Sequence, residues 1–385
     1  LKHLTEDFLR NRQSRAISAA FFALGFLFGN WATFIPYVKG KFDLNDADLG
    51  LILLSLPVGA LTANMVGAWL VSKIGMKTTT IFGMIGMAIA FAIPVNVPHV
   101  YLLPLGLYLC GAGVSITNIA MNLGVTSIEA DQKINIMSTS HGIYSVGLMT
   151  GSLAASFARG ASVVPGYYMA GVAVFIILLA VAIKPTVFKI KEELFAEQQS
   201  NRFFLPKGAF LIMILIGVCV NITEGTMADW TSVYMRDVVK SNPYFIGWGL
   251  SGYSFFMALG RLFGDKIIPK VGANKVLVYG GILSAMGMLI AVLYPMVWSS
   301  ILGFALVGAG VSCAAPILYG SAARIPGVSK SSGLAVMNTF AMGGFMIGPV
   351  LIGFISEATS LLVAFGLVAV LALSWTWMSV RAKLF

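Results

Sequence analysis

Residues Cys110–Asn122 read CGAGVSITNIAMN, and their opening phrase returns almost letter for letter at Val307–Tyr319, VGAGVSCAAPILY. The step from Gly111 to Gly308 is 197 residues, and it also carries Gly113 to Gly310 and Ser115 to Ser312. The same step takes Gly67 to Gly264, Lys73 to Lys270, Gly75 to Gly272, Gly147 to Gly344 and Gly151 to Gly348. A single offset held across several apolar segments and their loops marks a duplicated unit, because chance likeness between apolar stretches would not keep one register. The chain therefore reads as two related halves, 1–183 and 208–385. Between them lies the longest charged segment, 184–207, a polar linker.

Composition says where the halves reside. Of 385 residues, 58% are hydrophobic and 10% charged, and the mean hydropathy is +0.88, more apolar surface than one water-soluble core can bury. A hydrocarbon slab about 30 Å thick needs runs of about 20 apolar residues. Such runs fall near 16–38, 47–70, 78–97, 100–127, 136–158 and 162–183, then near 208–234, 243–263, 276–294, 296–322, 332–356 and 359–380. The expected architecture is an all-α membrane protein with twelve transmembrane helices in two six-helix bundles. An even count puts both termini on one side. Of the 25 basic residues, 20 fall on that side and five (Lys39, Lys41, Arg159, Arg236 and Lys240) on the other, so both termini are expected in the cytoplasm. This sorting accounts for the net charge of +10 without nucleic acid. Cys110, Cys219 and Cys313 fall inside spans and read as small packing residues rather than as a disulfide framework or a metal site. Residues 1–15 hold no short apolar core with a cleavage site, so the first span is expected to act as the targeting signal.

The loop after the second span, AWLVSKIGMK (Ala68–Lys77), and the later GRLFGDKIIPKVGANK (Gly260–Lys275) resemble the major facilitator signature G-x-x-x-D-[RK]-x-G-x-[RK]-[RK]. The stretches WATFIP, AMNLGVTSIEA, SHGIYSVGLMTG and EGTMADWTSVYMRD are similar to a bacterial branch of that superfamily related to fucose permease, and the resemblance runs through the whole chain. It implies alternating access, with solute held between the halves near the midplane, in the inner membrane of a bacterium, and with the pathway contained in a monomer. It also implies that the third, sixth, ninth and twelfth helices stand outside and face lipid. In the signature, Ser72 stands where the first half should carry Asp, while Asp265 is read as the retained Asp of the second half. Lys73, Asp265 and Lys266 are the gating residues that follow, with Asp229, beside Trp230, as a further cap or gate near the outer interface. The resemblance implies an Arg at the position of Phe34 and an acid at that of Asn118, and both are absent. Losing both together avoids stranding one charge in a low dielectric. With no Lys or Arg read as lying deep in a span, the expected solute is small, polar and mostly neutral, such as a sugar.

Helical spacing selects the candidate polar faces. Ser115, Asn118 and Asn122 share one face of the fourth span, and Ser138, His141, Tyr144 and Ser145 recur on the fifth. The seventh span carries Asn221 and Glu224 at i, i+3, with smaller contributions from Asn30 and Thr33 on the first, Tyr319 on the tenth and Asn338 on the eleventh. The interiors of the third, sixth, ninth and twelfth spans hold no Asn, Gln, His or acid. An internal cavity demands that sorting. Glu224 lies about 16 residues into its span, where a lone carboxylate costs roughly 2.5 kcal/mol or more, so a proton-coupling role is expected, with a structural carboxyl as the alternative. His141 has the intrinsic range of a proton shuttle and equally suits a neutral bond between helices. Asn118 and Asn122 serve either the solute or helix association.

Chemistry is absent from the pattern: no HExxH, CxxC, nucleotide loop or ordered Ser-His-Asp set is present. The expectation is a non-enzymatic secondary transporter without cofactor, whose partners are a solute, a proton and the bilayer, working as a proton symporter. Proton-coupled efflux is the alternative within transport, although the fifth span lacks proline. A non-transporting membrane sensor on the same fold is the alternative outside it.

Overall fold

The repeated GAG phrase sits in a helix because nothing in it breaks one, and its two glycines decide what that helix packs against. The computed structural model describes residues 11–192 and 205–382, with Phe8 and Leu384, and leaves aside the side chains of Asp265 and Ser331. Those residues form helices α1 (Arg12–Lys41), α2 (Asp46–Ile74, interrupted at Leu54), α3 (Met76–Asn96), α4 (Leu103–Gln132), α5 (Met137–Gly160) and α6 (Pro165–Val187). They continue with α7 (Gly208–Asp237), α8 (Trp248–Val271), α9 (Ala273–Leu293), α10 (Val297–Ala322, interrupted after Val311), α11 (Lys330–Ala358) and α12 (Leu361–Arg381). Among the described residues ten of these are long and apolar enough to cross a membrane; α5 and α8, of 24 residues each, are more polar.

Boundaries follow local chemistry. Asn11 caps α1, its side-chain oxygen accepting from the backbone N–H groups of Gln13 (3.0 Å) and Ser14 (3.1 Å). Gly75 (φ +82°) separates α2 from α3, and Gly272 (φ +91°), one repeat step later, separates α8 from α9. Left-handed junctions of this kind favour glycine. Of the expected linker 184–207, Lys184–Val187 continues α6 and residues 193–204 lie outside the described residues.

The chain divides into two compact units. The first takes residues 1–44, 52–194 and Asn242–Gly247, the second Asn45–Leu51, 195–241 and 248–385, so each includes a short piece of the other half of the sequence. In the first unit Gly247 N–H donates to Ser156 Oγ (2.6 Å), and in the second Gly50 lies against the carbonyl of Pro349 and the Cα of Gly353. Gly50 and Gly247 are one repeat step apart, as are Ser156 and Gly353.

The GAG glycines split their duties. A Cβ at Gly111 would overlap the Leu56 carbonyl of α2, and one at Gly308 the Tyr253 carbonyl of α8, while Gly113 approaches Met87 of α3 and Gly310 approaches Ser284 of α9. Each phrase thus lets one helix be held closely on two sides. Side chains on α3, α6, α9 and α12 project outward as large apolar groups, among them Phe82, Leu178, Met286 and Leu373, the surface that hydrocarbon solvates.

Candidate functional site

Each unit carries its own polar stripe. In the first, α1 and α5 lie backbone to backbone: Gly25 and Gly29 meet the carbonyls of Tyr144 and Leu148, and Gly147 and Gly151 meet those of Phe22 and Phe26. A Cβ at any of the four would overlap its carbonyl. Asn30 is fully buried beside this seam, donating to Phe26 O (2.8 Å) and accepting from the Tyr168 hydroxyl of α6 (2.7 Å). Thr33 is buried as well, its hydroxyl bonded to Gly29 O (2.9 Å). His141 packs edge-on against Phe21 with ring centroids 5.1 Å apart, and Tyr144 is half-buried one turn along α5. On α4, Asn118 and Asn122 are half-buried and bonded to each other at 2.6 Å. Their amides therefore satisfy part of each other and keep capacity to spare.

Phe34, the position where the resemblance implies Arg, is fully buried, and a guanidinium reaches it from elsewhere. Arg159 of α5 lies 5.8 Å over its ring and donates to Thr33 O at 3.0 Å. The charge sorting had placed Arg159 simply in an outer loop.

The second unit repeats the seam with more room. Gly344 and Gly348 of α11 face the carbonyls of Val218 and Ile222 of α7, where a Cβ would stand 2.9 Å and 3.2 Å away, and Gly225 faces Phe345 O at 3.1 Å. Asn221 occupies the place that Gly25 holds in the first seam, its Cβ 3.3 Å from where one on Gly344 would be. Glu224 is half-buried, with Oε1 enclosed and without a hydrogen-bond partner. Tyr319 donates to Asn338 Oδ1 at 3.1 Å, joining α10 to α11. Asp229 is buried further along α7, and Trp230 is fully buried beside it.

One expectation is corrected here, and it concerns cations. Hydropathy ends the eighth span near residue 263, which leaves Arg261 at the membrane edge, but α8 continues to Val271; Arg261 stands 13 residues from the start of α8 at Trp248, as Glu224 stands 13 residues from the end of α7 at Asp237. Packing sets the two at one depth. Gly217 of α7 meets Leu318 of α10, and Gly260 of α8 meets Ser312 of α10. At 1.5 Å per residue, Glu224 is about 10 Å along α7 from the first contact and Ser312 about 9 Å along α10 in the same direction. By the same 197-residue step that pairs the junctions Gly75 and Gly272, Ser72 falls opposite Pro269, with Asp265 four residues earlier on α8. Lys73 lies 5.1 Å over the Trp69 ring, and Lys266 is exposed on α8.

Long apolar helices, a whole-chain internal repeat and polar stripes on helices that are otherwise hydrocarbon define a multi-pass membrane transporter. The family model described as Major Facilitator Superfamily matches residues 17–242 and 214–383, and the chain belongs to that superfamily. It is 31% identical over 359 residues to an uncharacterized MFS-type transporter of Yersinia pestis, covering 92% of both chains. It is 25% identical over 347 residues to the membrane protein MosC of Rhizobium meliloti, covering 90% of this chain and 84% of that one. Among solved structures, the nucleoside transporter NupG matches with a TM-score of 0.73 at 13% identity, over 97% of this chain and 100% of the other. The transporter FucP in its outward conformation matches with a TM-score of 0.60 at 16% identity, over 96% and 99%. At such identities the solved structures speak for the fold alone.

Proposed function

We propose that this chain is a proton-coupled symporter of a small polar solute, working by alternating access as a monomer in a bacterial inner membrane. On this reading twelve helices span the bilayer as two six-helix bundles, 1–183 and 208–385, with both termini cytoplasmic. Glu224 is the proton carrier, and one observation carries that assignment: an acid in the middle of a membrane helix with an enclosed, unbonded carboxyl oxygen. Such an oxygen is costly while charged and is relieved when a proton arrives. Asn221, Tyr319 and Asn338 in the second unit, and Asn118, Asn122, Tyr144 and His141 in the first, are the solute-facing groups, with His141 as a second proton site. Asn30 is the weakest of the proposed ligands, because its amide already bonds Tyr168 and Phe26. Hydroxyl-rich solutes such as sugars suit this set of amides and hydroxyls. Lys73, Lys266, Asp265 and Asp229 remain the proposed gate residues.

The test is solute-driven proton movement in proteoliposomes loaded with a pH-sensitive dye, native chain against Glu224→Gln. Proton entry that depends on solute and vanishes in the variant, with solute binding retained, is the expected result. Solute flux without proton movement would overturn the reading.

A further inference from the structure

Among the described residues Arg261 is the one cation deep in a helix that the charge pattern of the sequence concealed, and its surroundings say what it could hold. It is half-buried, 13 residues along α8, at the depth of Glu224. No hydrogen bond or direct ion pair engages either Glu224 or Arg261 among the described residues. A guanidinium presents five N–H donors in a planar fork shaped for a carboxylate. Leaving that fork unspent inside a membrane bundle is expensive unless a ligand completes it.

We propose that Arg261 binds an anionic group of the solute, and that the solute class is a hydroxylated carboxylate such as a sugar acid or hydroxy acid. This deepens the reading of Glu224 as proton carrier and rests on it for the coupling step. The argument is one of charge balance. With Glu224 ionised, the pair Glu224 and Arg261 is neutral in sum. Adding a carboxylate leaves one net negative charge in a low dielectric; adding a proton to Glu224 at the same time restores neutrality. Proton and anion therefore favour each other's binding, and by linkage the preference is reciprocal. No bond beyond the Glu224 O–H is made or broken: the proton enters from water, the solute keeps its charge, and both leave together.

Among the described side chains, few charges lie near α7 at this depth. Against α7 pack α8, α10, α11 and α12. At this depth α8 brings Arg261, with Asp265 four residues further on, and α10 brings Tyr319; α11 and α12 bring acids and bases only near their ends, at Lys330, Glu357 and Arg381. On α7 itself Asp229 is five residues outward.

The charge carried per cycle is the discriminating quantity. A neutral solute moving with one proton carries a positive charge and produces current; a monoanion moving with one proton carries none. The purified full chain would be tested with glucose, glucuronate, gluconate and lactate, by thermal stabilisation, by uptake under an imposed pH gradient, and by current on a solid-supported membrane. The expected result is stabilisation and pH-driven uptake by a carboxylate without current. Arg261→Gln should weaken that binding about ten- to hundredfold, as loss of a charge-assisted contact does. Arg261→Lys, which keeps the charge and guards against misfolding, should bind with intermediate affinity. Glu224→Gln should bind the carboxylate with no dependence on pH. If no carboxylate stabilises the native chain more than Arg261→Gln, or if glucose alone is taken up with current, the inference falls. If a carboxylate binds through Arg261 while no proton moves, the proton-carrier reading falls and the anion site stands.

Discussion

The α1/α5 seam and the α7/α11 seam are the same device built to two tolerances. In the first, four glycines put backbone against backbone with no space for a methyl group. In the second, three glycines remain, where a Cβ would stand 2.9–3.2 Å from the facing carbonyl rather than 2.1–2.3 Å, and Asn221 takes the fourth position. Glu224 lies three residues beyond Asn221; one seam register earlier the first unit has Phe28. At matching places along the seam the first unit has Gly25 and Phe28, whereas the second has Asn221 and Glu224, an amide and an acid. Duplication supplied one scaffold, and the second copy gave up tightness where it gained chemistry.

The comparison breaks most readily at its tight end. Gly25→Val and Gly147→Val should each prevent recovery of folded protein or lower its melting temperature sharply in detergent, because overpacking costs about 1–3 kcal/mol or more when the neighbour is backbone. Gly348→Ala, where a Cβ would stand 3.2 Å from a backbone carbonyl, should cost less than Gly147→Ala, where it would stand 2.3 Å from one; equal losses at the two would erase the distinction. Asn221→Ala should retain the fold and cut uptake about three- to tenfold, the loss of one or two neutral hydrogen bonds, and normal uptake would return Asn221 to packing. Tyr168→Phe, which removes the bond to Asn30, should cost about 0.6 kcal/mol in melting and leave flux intact. Smallest of all, Asp131→Asn removes the 2.6 Å partner that favours the charged form of the exposed Lys191 and raises its pKa. Any stabilisation from that pair is present below the ordinary lysine range and lost only in strong alkali, so melting at pH 7 should not change measurably on mutation.

Much of this was legible in residue spacing. The 197-residue step pairs Gly147 and Gly151 with Gly344 and Gly348, and Gly75 with Gly272, positions where close helix approach and a positive φ both demand glycine. Arg261 was hidden because hydropathy ends a span at its first charge, while a helix ends where its hydrogen bonds do, ten residues later at Val271. The repeat held the missing signal: one step back from Arg261 is Asn64, well inside the second span. Arg159 was hidden for a different reason. Its contact with Phe34 joins residues 125 positions apart, and no periodicity encodes that distance.

The short segment Asn242–Gly247 belongs to the first unit although it is made after the first helix of the second. During synthesis the ribosome must extend the chain from Val187, the end of α6, to Gly247 before that unit owns all its parts. At 5–20 residues per second the delay is roughly 3–12 s. For that interval the Ser156 hydroxyl lacks the Gly247 N–H that it accepts from in the finished unit, so a chain stopped after α6 holds an incomplete first unit.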